Sequence, residues 1–173
     1  MILAANKNME GKTINALKWI VGILNSNDIP YRIGGGLATH LYGSPRAVND
    51  IDISLSGKHF LTIVPLVEGY ITAGPKHYKN EKWDCTTLSL DYNGQDIDMT
   101  DADTLLMSSR DGTQWIQNKE IYEKHPDVVK EIDGLKVSLM DPRVLLEYKR
   151  ELGGEHQESD RAFLSDYIKK YRL

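Results

Sequence analysis

The sequence contains a single cysteine, Cys85, among its 173 residues. One cysteine cannot close a disulfide within the chain, and it cannot supply a cluster of thiolate ligands for a metal. This scarcity is typical of proteins that work in a reducing compartment. We therefore expect a cytoplasmic protein.

Long apolar runs are also missing. No stretch approaches the ~20 apolar residues that a membrane-spanning helix requires. The apolar run within residues 1–7 is too short for a signal peptide. We therefore expect no membrane partner. The net charge of −4 does not indicate nucleic-acid binding, although a local basic patch stays open.

Length and composition indicate one globular domain over residues 1–173. Hydrophobic residues make up 40% of the chain and charged residues 27%, as in ordinary globular proteins. The C-terminal part, residues 141–173, predicts a pair of helices. Asp141-Pro142 gives a helix start, and residues 158–171 form a second amphipathic stretch.

Glycine and aspartate are concentrated in residues 34–56. Three glycines, Gly34 to Gly36, follow a short predicted strand and precede a short helical stretch. A strand with the sequence Asp50-Ile51-Asp52-Ile53 comes next. Because strand side chains alternate with a period of two, the two aspartates share one face and the isoleucines share the other. Two carboxylates this close repel unless a cation lies between them, and Mg²⁺ prefers such hard oxygen ligands.

A second acidic segment follows a predicted hairpin. Asn93-Gly94 between two alternating runs is typical of a type I′ turn, and a two-residue loop fixes the strand register. Asp91 then lies opposite Asp96, and Ser89 lies opposite Asp98. The apolar residues of both strands share the opposite, buried face.

The segment around the glycines resembles the DNA polymerase β-type nucleotidyltransferases, and most of all their small bacterial and archaeal members. The likeness is clear over residues 31–56, fair at 95–100 and loose at 135–165. It rests on these matched runs: Gly35-Gly36-Leu37-Ala38, Tyr42-Gly43, Pro45-Arg46, Asp50-Ile51-Asp52-Ile53, Tyr148-Lys149 and Asp160-Arg161-Ala162-Phe163-Leu164.

The resemblance implies an α+β fold with a mixed, mainly antiparallel sheet and helices packed against it. It implies transfer of a nucleoside monophosphate from an NTP to a hydroxyl acceptor, with release of pyrophosphate. Asp50 and Asp52 would bind Mg²⁺, or Mn²⁺ in its place. The family adds a third carboxylate with an apolar residue on each side. Asp98 fits that description better than Asp96, which lies at the hairpin tip.

The resemblance also implies contacts to the nucleotide. Gly35 and Gly36 would let phosphates approach the backbone, and Arg46 and Lys149 would contact the nucleotide. The usual Thr-Lys before the first aspartate is replaced here by Val48-Asn49, so one customary basic residue is missing. A catalytically inactive protein of the same fold that binds nucleotide or metal is therefore the alternative hypothesis.

The acceptor stays open at this point. The size and tail resemble antibiotic nucleotidyltransferases such as the lincosamide type, and also toxin–antitoxin nucleotidyltransferases that modify a partner protein or tRNA. A cleft would favour a small molecule, whereas a flat open surface would favour a macromolecule. The chain is short for a two-lobed clamp, so a homodimer that closes the site is also expected.

Three further segments carry local predictions. Residues 70–82 are weakly patterned and predict a connection, either a solvated loop or a flap facing the substrate. Asp101 and Asp103 predict caps of a short helix over residues 105–107. Asp133-Gly134 predicts a second hairpin.

Overall fold

The computed structural model describes residues 9–173. Residues 1–7, on which the signal-peptide argument depends, lie outside the described residues. Within the described part, no helix has the length and apolar character needed to cross a membrane.

The centre of the fold is one mixed sheet of nine strands. Its strand order is β7-β6-β4-β5-β2-β1-β9-β8, and β3 pairs with β4 outside this path. The pairs β2–β5 and β1–β9 are parallel, and the other recorded pairs are antiparallel. The strands are β1 Tyr31–Ile33, β2 Asp50–Leu55, β3 Ile71–Lys79, β4 Trp83–Tyr92, β5 Gln95–Asp101, β6 Leu106–Ser108, β7 Trp115–Gln117, β8 Val128–Ile132 and β9 Leu135–Leu139.

Helices cover the apolar parts of this sheet and form a separate C-terminal pair. The predicted α+β class with a mainly antiparallel sheet is confirmed. Two short 3₁₀ turns, Gly57–His59 and Glu68–Tyr70, flank the third helix. The α-helices of the described residues are α1 Gly11–Ser26, α2 Gly35–Leu41, α3 Phe60–Val67, α4 Asn118–Tyr122, α5 Pro142–Arg150 and α6 Glu155–Tyr171.

Alternation along β2 and β5 places acids on one face and apolar side chains on the other. Ile51, Ile53, Ile97 and Met99 are at most 1% exposed and lie in the main core. The intervening aspartates face the opposite side. Burial of the apolar face fixes the register, because a shift by one residue would bury the carboxylates instead.

The hairpin between β4 and β5 confirms the predicted register pair by pair. Tyr92 lies opposite Gln95, Asp91 opposite Asp96 and Ser89 opposite Asp98. The second hairpin, at Asp133-Gly134, is confirmed as well.

A buried amide ties α1 to both acidic strands. The Gln95 side chain is fully buried; Thr13 Oγ1 donates to its Oε1 at 2.6 Å, and its Nε2 donates to the carbonyl of Asn49 at 2.9 Å. Asn49 directly precedes β2. The amide therefore fixes the first residues of β2 and β5 relative to the helix that covers them.

Two local predictions were wrong. Residues 71–79 are not a connection but the edge strand β3, which pairs with β4 through two register shifts. It is mostly exposed, so its sequence shows no clear alternation. Residues 106–108 form strand β6 rather than a helix. Asp101 instead holds a turn, since its carboxylate accepts hydrogen bonds from Gly57 N, Asp103 N and Thr104 Oγ1.

The C-terminal helix pair starts as predicted. The Asp141 carboxylate caps α5 by accepting from Arg143 N at 2.9 Å, and Pro142 occupies the first turn. Helices α5 and α6 pack on each other and on α2. This arrangement places Tyr148 and Lys149 of α5 near the glycine turn that begins α2.

Candidate active site

Three carboxylates converge on the polar face of the sheet. Oxygen atoms of Asp50, Asp52 and Asp98 all lie within 4.8 Å of one another, as the ligands of one divalent ion would. Asp50 and Asp52 are two residues apart on β2. Parallel pairing sets Asp52 beside Asp98 on β5, whereas Asp96 lies beside Asp50 and is exposed. The structure therefore brings Asp98, and not Asp96, into the group.

Burial and mutual repulsion disfavour the negative charges of Asp50 and Asp52. Burial, together with the neighbouring charges of Asp50 and Asp98, raises the pKa of Asp52 to about 7. Burial and the charge of Asp98 also raise the pKa of Asp50. Ser89 Oγ donates to the Asp98 carboxylate at 2.5 Å and fixes its orientation. Such a set of hard oxygen atoms suits Mg²⁺ or Mn²⁺, because a divalent cation removes the repulsion.

The position of the Asp52 side chain requires a glycine at residue 35. Its φ is +58°, and a Cβ at this position would lie 1.7 Å from Asp52 Oδ2. The neighbouring Gly34 N donates to the carbonyl of Asp52 at 3.0 Å. The start of α2 therefore lies directly against the acidic strand, in a way that no residue with a side chain permits.

Gly36 makes a corresponding contact with Arg46. A Cβ on Gly36 would lie 2.3 Å from Arg46 Nη2. The Arg46 guanidinium thus approaches the glycine turn through Nη2, and its side chain is 24% exposed. Arg46 uses Nε and Nη2 to hold both carboxylate oxygens of Asp160, at 2.8 and 2.9 Å.

Asp160 joins the two basic residues that the sequence singled out. Lys149 Nζ lies 2.7 Å from Asp160 Oδ2 and 3.0 Å from Gln157 Oε1. Asp160 is fully buried, and Lys149 is 1% exposed. The charges of Lys149 and Arg46 both lower the pKa of Asp52, against its burial and its acidic neighbours. Asp160 begins a run that resembles the family, but the sequence did not predict it as a site residue.

A cavity of about 480 Å³ opens beside the carboxylates. Asp52, Asp98 and Gly35 form part of its wall, and the rest comes from elements far apart in the sequence. Sequence reasoning did not select these other residues, because no local pattern links them. Among them are Tyr122 of α4, Tyr148 of α5, Trp83 and Cys85 of β4, and Lys76 and Tyr78 of β3.

Comparison with solved structures identifies the fold. A protein from Thermotoga maritima, described as a proposed nucleotidyltransferase, superposes with a TM-score of 0.65 at 17% identity, over 95% of this chain and 94% of that one. The chain has the nucleotidyltransferase fold. No model of a known protein family matches the sequence, and no curated protein matches it.

Two further neighbours carry the same fold. An antigenic nucleotidyltransferase-like protein from Paracoccidioides brasiliensis has a TM-score of 0.58 at 16% identity, over 94% of this chain and 78% of that one. The solution structure of the antibiotic-resistance factor ANT(2″)-Ia has a TM-score of 0.58 at 14% identity, over 95% of this chain and 93% of that one. The crystal structure of ANT(2″)-Ia in complex with adenylyl-2″-tobramycin has a TM-score of 0.53 at 14% identity, over 92% of this chain and 98% of that one.

The first test concerns the glycine turn. We expect Gly35→Ala to weaken Mn²⁺ binding at least about tenfold, or roughly 1.4 kcal/mol, because the new Cβ displaces the Asp52 carboxylate. Electron paramagnetic resonance of free Mn²⁺ measures this. Gly22→Ala is the control, since a Cβ there meets nothing within 4 Å. Equal Mn²⁺ affinity in both variants would show that Asp52 does not depend on this contact.

The second test uses the raised pKa of Asp52. A carboxyl whose pKa is raised in the folded state stabilises the fold below its unfolded pKa, near 3.8, and loses that contribution as pH rises through about 7. Without metal, we expect Asp52→Asn to be more stable than wild type by about 1–2 kcal/mol at about pH 8, and to gain little at about pH 4.

Urea unfolding in a chelator at both pH values measures this difference. Asp28→Asn is the control, because Asp28 is an exposed turn residue with positive φ that asparagine tolerates. A gain for Asp52→Asn that does not grow with pH would contradict the assigned repulsion.

The third test concerns the buried ion-pair network. We expect Asp160→Asn to lower the free energy of unfolding by about 3–5 kcal/mol, because it leaves Lys149 buried without a counter-charge. Asp166→Asn on the same helix is the control, since its side chain is 83% exposed. The double variant Lys149→Met, Asp160→Leu should recover much of the loss. A loss for Asp160→Asn no larger than that of the control would rule out this role.

Proposed function

We propose that the protein is a metal-dependent nucleotidyltransferase that moves a nucleoside monophosphate from an NTP to a hydroxyl acceptor and releases pyrophosphate. The observation that carries this proposal is the convergence of Asp50, Asp52 and Asp98 within 4.8 Å beside the Gly35 turn. The nucleotidyltransferase fold supports it.

Each carboxylate has a role in this proposal. Asp50 and Asp52 would hold the divalent ion on the donor triphosphate, and Asp98 would complete the ligand set toward the acceptor. When bound, the ion supplies charge neutralisation and polarises the phosphate oxygens. The site residues position the two substrates, which is most of what a phosphoryl-type transfer requires of the protein.

We assign different roles to the two basic residues: Arg46 contacts a phosphate of the nucleotide, and Lys149 positions Asp160. Arg46 Nη1 makes no hydrogen bond to another described residue, so it is the nitrogen that we assign to a phosphate beside Gly35 and Gly36. Lys149 is too buried for the same role. We assign it the positioning of Asp160, which in turn holds Arg46 against Gly36.

The transfer is a displacement at the α-phosphorus. The acceptor oxygen forms a bond to this phosphorus, and the bond from the phosphorus to the oxygen bridging the β-phosphate breaks. Pyrophosphate leaves with the bridging oxygen. The proton of the acceptor hydroxyl passes to Asp98, whose carboxylate Ser89 already orients.

The cavity favours a small-molecule acceptor over a macromolecule. Its volume of about 480 Å³ lies in the range of sites that bind small molecules. ANT(2″)-Ia, which shares the fold, has been crystallised with adenylyl-2″-tobramycin, a small molecule that carries an adenylyl group. The described strands belong to one sheet, so we treat residues 9–173 as one domain. The single cysteine supports a cytoplasmic protein.

The test compares wild type with Asp50→Asn. With Mg²⁺, each labelled NTP and an extract of metabolites and proteins, we expect wild type to release pyrophosphate and label an acceptor. Asp50→Asn should reduce the rate about a hundredfold or more, or roughly 2.7 kcal/mol of barrier. Asp96→Asn, the neighbouring acid outside the group of three, should retain activity.

Two results would contradict the proposal. Equal pyrophosphate release by wild type and Asp50→Asn would remove the carboxylates from the reaction. Calorimetric binding of Mg²⁺ and NTP by wild type, without pyrophosphate release for any NTP and extract, would favour the inactive nucleotide-binding alternative.

A further inference from the structure

We infer that the cavity selects an acceptor with a planar ring and one anionic group, and that it excludes polyammonium compounds. This inference rests on the proposed transferase, because it assigns the cavity to the acceptor of that reaction. It deepens the proposal by naming the chemical class of the second substrate.

The order of the strands separates a donor side from an acceptor side. The glycine turn and Arg46 lie beyond β2 on the side of β1, next to Asp52. The cavity begins at the glycine turn, where Gly35 lines it, and extends past Asp98 on β5 and across β4 to β3. A triphosphate on the first side leaves β4 and β3 to the acceptor, whose hydroxyl then approaches the α-phosphate from the side of Asp98.

Aromatic rings form one wall of the cavity. Tyr148 lies between Trp83 and Tyr122, with ring centroids 6.2 Å from each. Tyr78 adds a fourth ring from β3 and is 44% exposed, near the mouth. Aromatic walls favour planar, apolar groups, which stack on them with little loss of hydration.

The charges of the cavity oppose a cationic ligand. Its charged lining residues are Asp52, Asp98 and Lys76. The two aspartates belong to the proposed metal site, so no further carboxylate lines the described cavity to pair with an ammonium group. A cationic ligand would therefore lose hydration without gaining an ion pair.

Lys76 supplies a positive charge that nothing in the described chain neutralises. Its ammonium group makes no ion pair and no hydrogen bond with another described residue, whereas the nearby Lys79 is paired with Asp84 at 2.5 Å. Lys76 is an exposed residue of the edge strand, and the cavity that it lines otherwise presents rings, hydroxyls, apolar side chains and the metal-site acids. A single anionic group on the acceptor would complete this arrangement.

Cys85 allows the cavity to be tested directly. It lines the same cavity, is 6% exposed and is the single cysteine of the sequence. The rate at which a small thiol reagent labels the whole protein therefore reports the occupancy of this cavity. Burial raises the pKa of the Cys85 thiol, so the labelling is best followed at about pH 9.

The probes are para-hydroxyphenylpropionate and tyramine, which share a hydroxyphenyl ring and a two-carbon chain but differ in the sign of their charge. We expect the anionic probe to slow labelling of Cys85 at least threefold more than tyramine at equal concentration. Lys76→Gln should remove this preference, and Lys76→Glu should reverse it. Lys170→Glu makes the same charge change on an exposed residue outside the cavity and should leave it intact.

Three outcomes would overturn the inference: no slowing by either probe, equal slowing by both, or a preference that survives in Lys76→Glu. The pyrophosphate assay with Asp50→Asn is independent of these results. Equal slowing together with pyrophosphate release would reject the acceptor class and keep the transferase. Selective slowing without pyrophosphate release under any condition would reject the transferase and leave the selectivity as a binding property of the cavity.

Discussion

Repulsion among three carboxylates, held together by two parallel strands, is the constraint on which the site depends. β2 and β5 pair in register, so Asp52 and Asp98 lie side by side. The isoleucines beneath them are fully or almost fully buried, and the buried Gln95 amide fixes both strand starts. The acids therefore cannot separate. Binding of a proton, which the raised pKa of Asp52 favours, or of a cation would relieve their repulsion.

The surroundings of the acids differ on their two sides. Toward α2, positive charge is fixed in place: Asp160 holds both Arg46 and Lys149, and the absence of side chains at Gly35 and Gly36 lets this group lie against the acids. Toward β4, the acids face rings, hydroxyl groups and the exposed Lys76, which has no ion-pair partner among residues 9–173. Under the proposed function, a highly charged donor suits the first side, and a ring compound with one anionic group suits the second.

Local patterns predicted the acidic strands well and the rest of the site poorly. Alternation in β2 and the Asn93-Gly94 turn determine which face each acid occupies, because strand period and turn length act over a few residues. The edge strand β3 was not predicted. Most of its side chains are exposed, so its sequence lacks the alternation of apolar and polar residues that marks a half-buried strand. The aromatic wall and the Asp160 network bring together residues from β4, α4, α5 and α6. Tyr148 and Asp160 belong to runs that resemble the family, but only the packing of these elements shows what they contact and adds Trp83 to the site.

Strand β3 pairs with β4 alone and carries Lys76 and Tyr78 into the cavity. Its lysines discourage the exposed edge from pairing with another chain. The carboxylates, by contrast, depend on strands at the centre of the sheet. Mutations can therefore accumulate on β3 with little damage to the acid cluster. In evolutionary terms, this separation would let descendants of the protein bind new ligands while inheriting the same acid cluster.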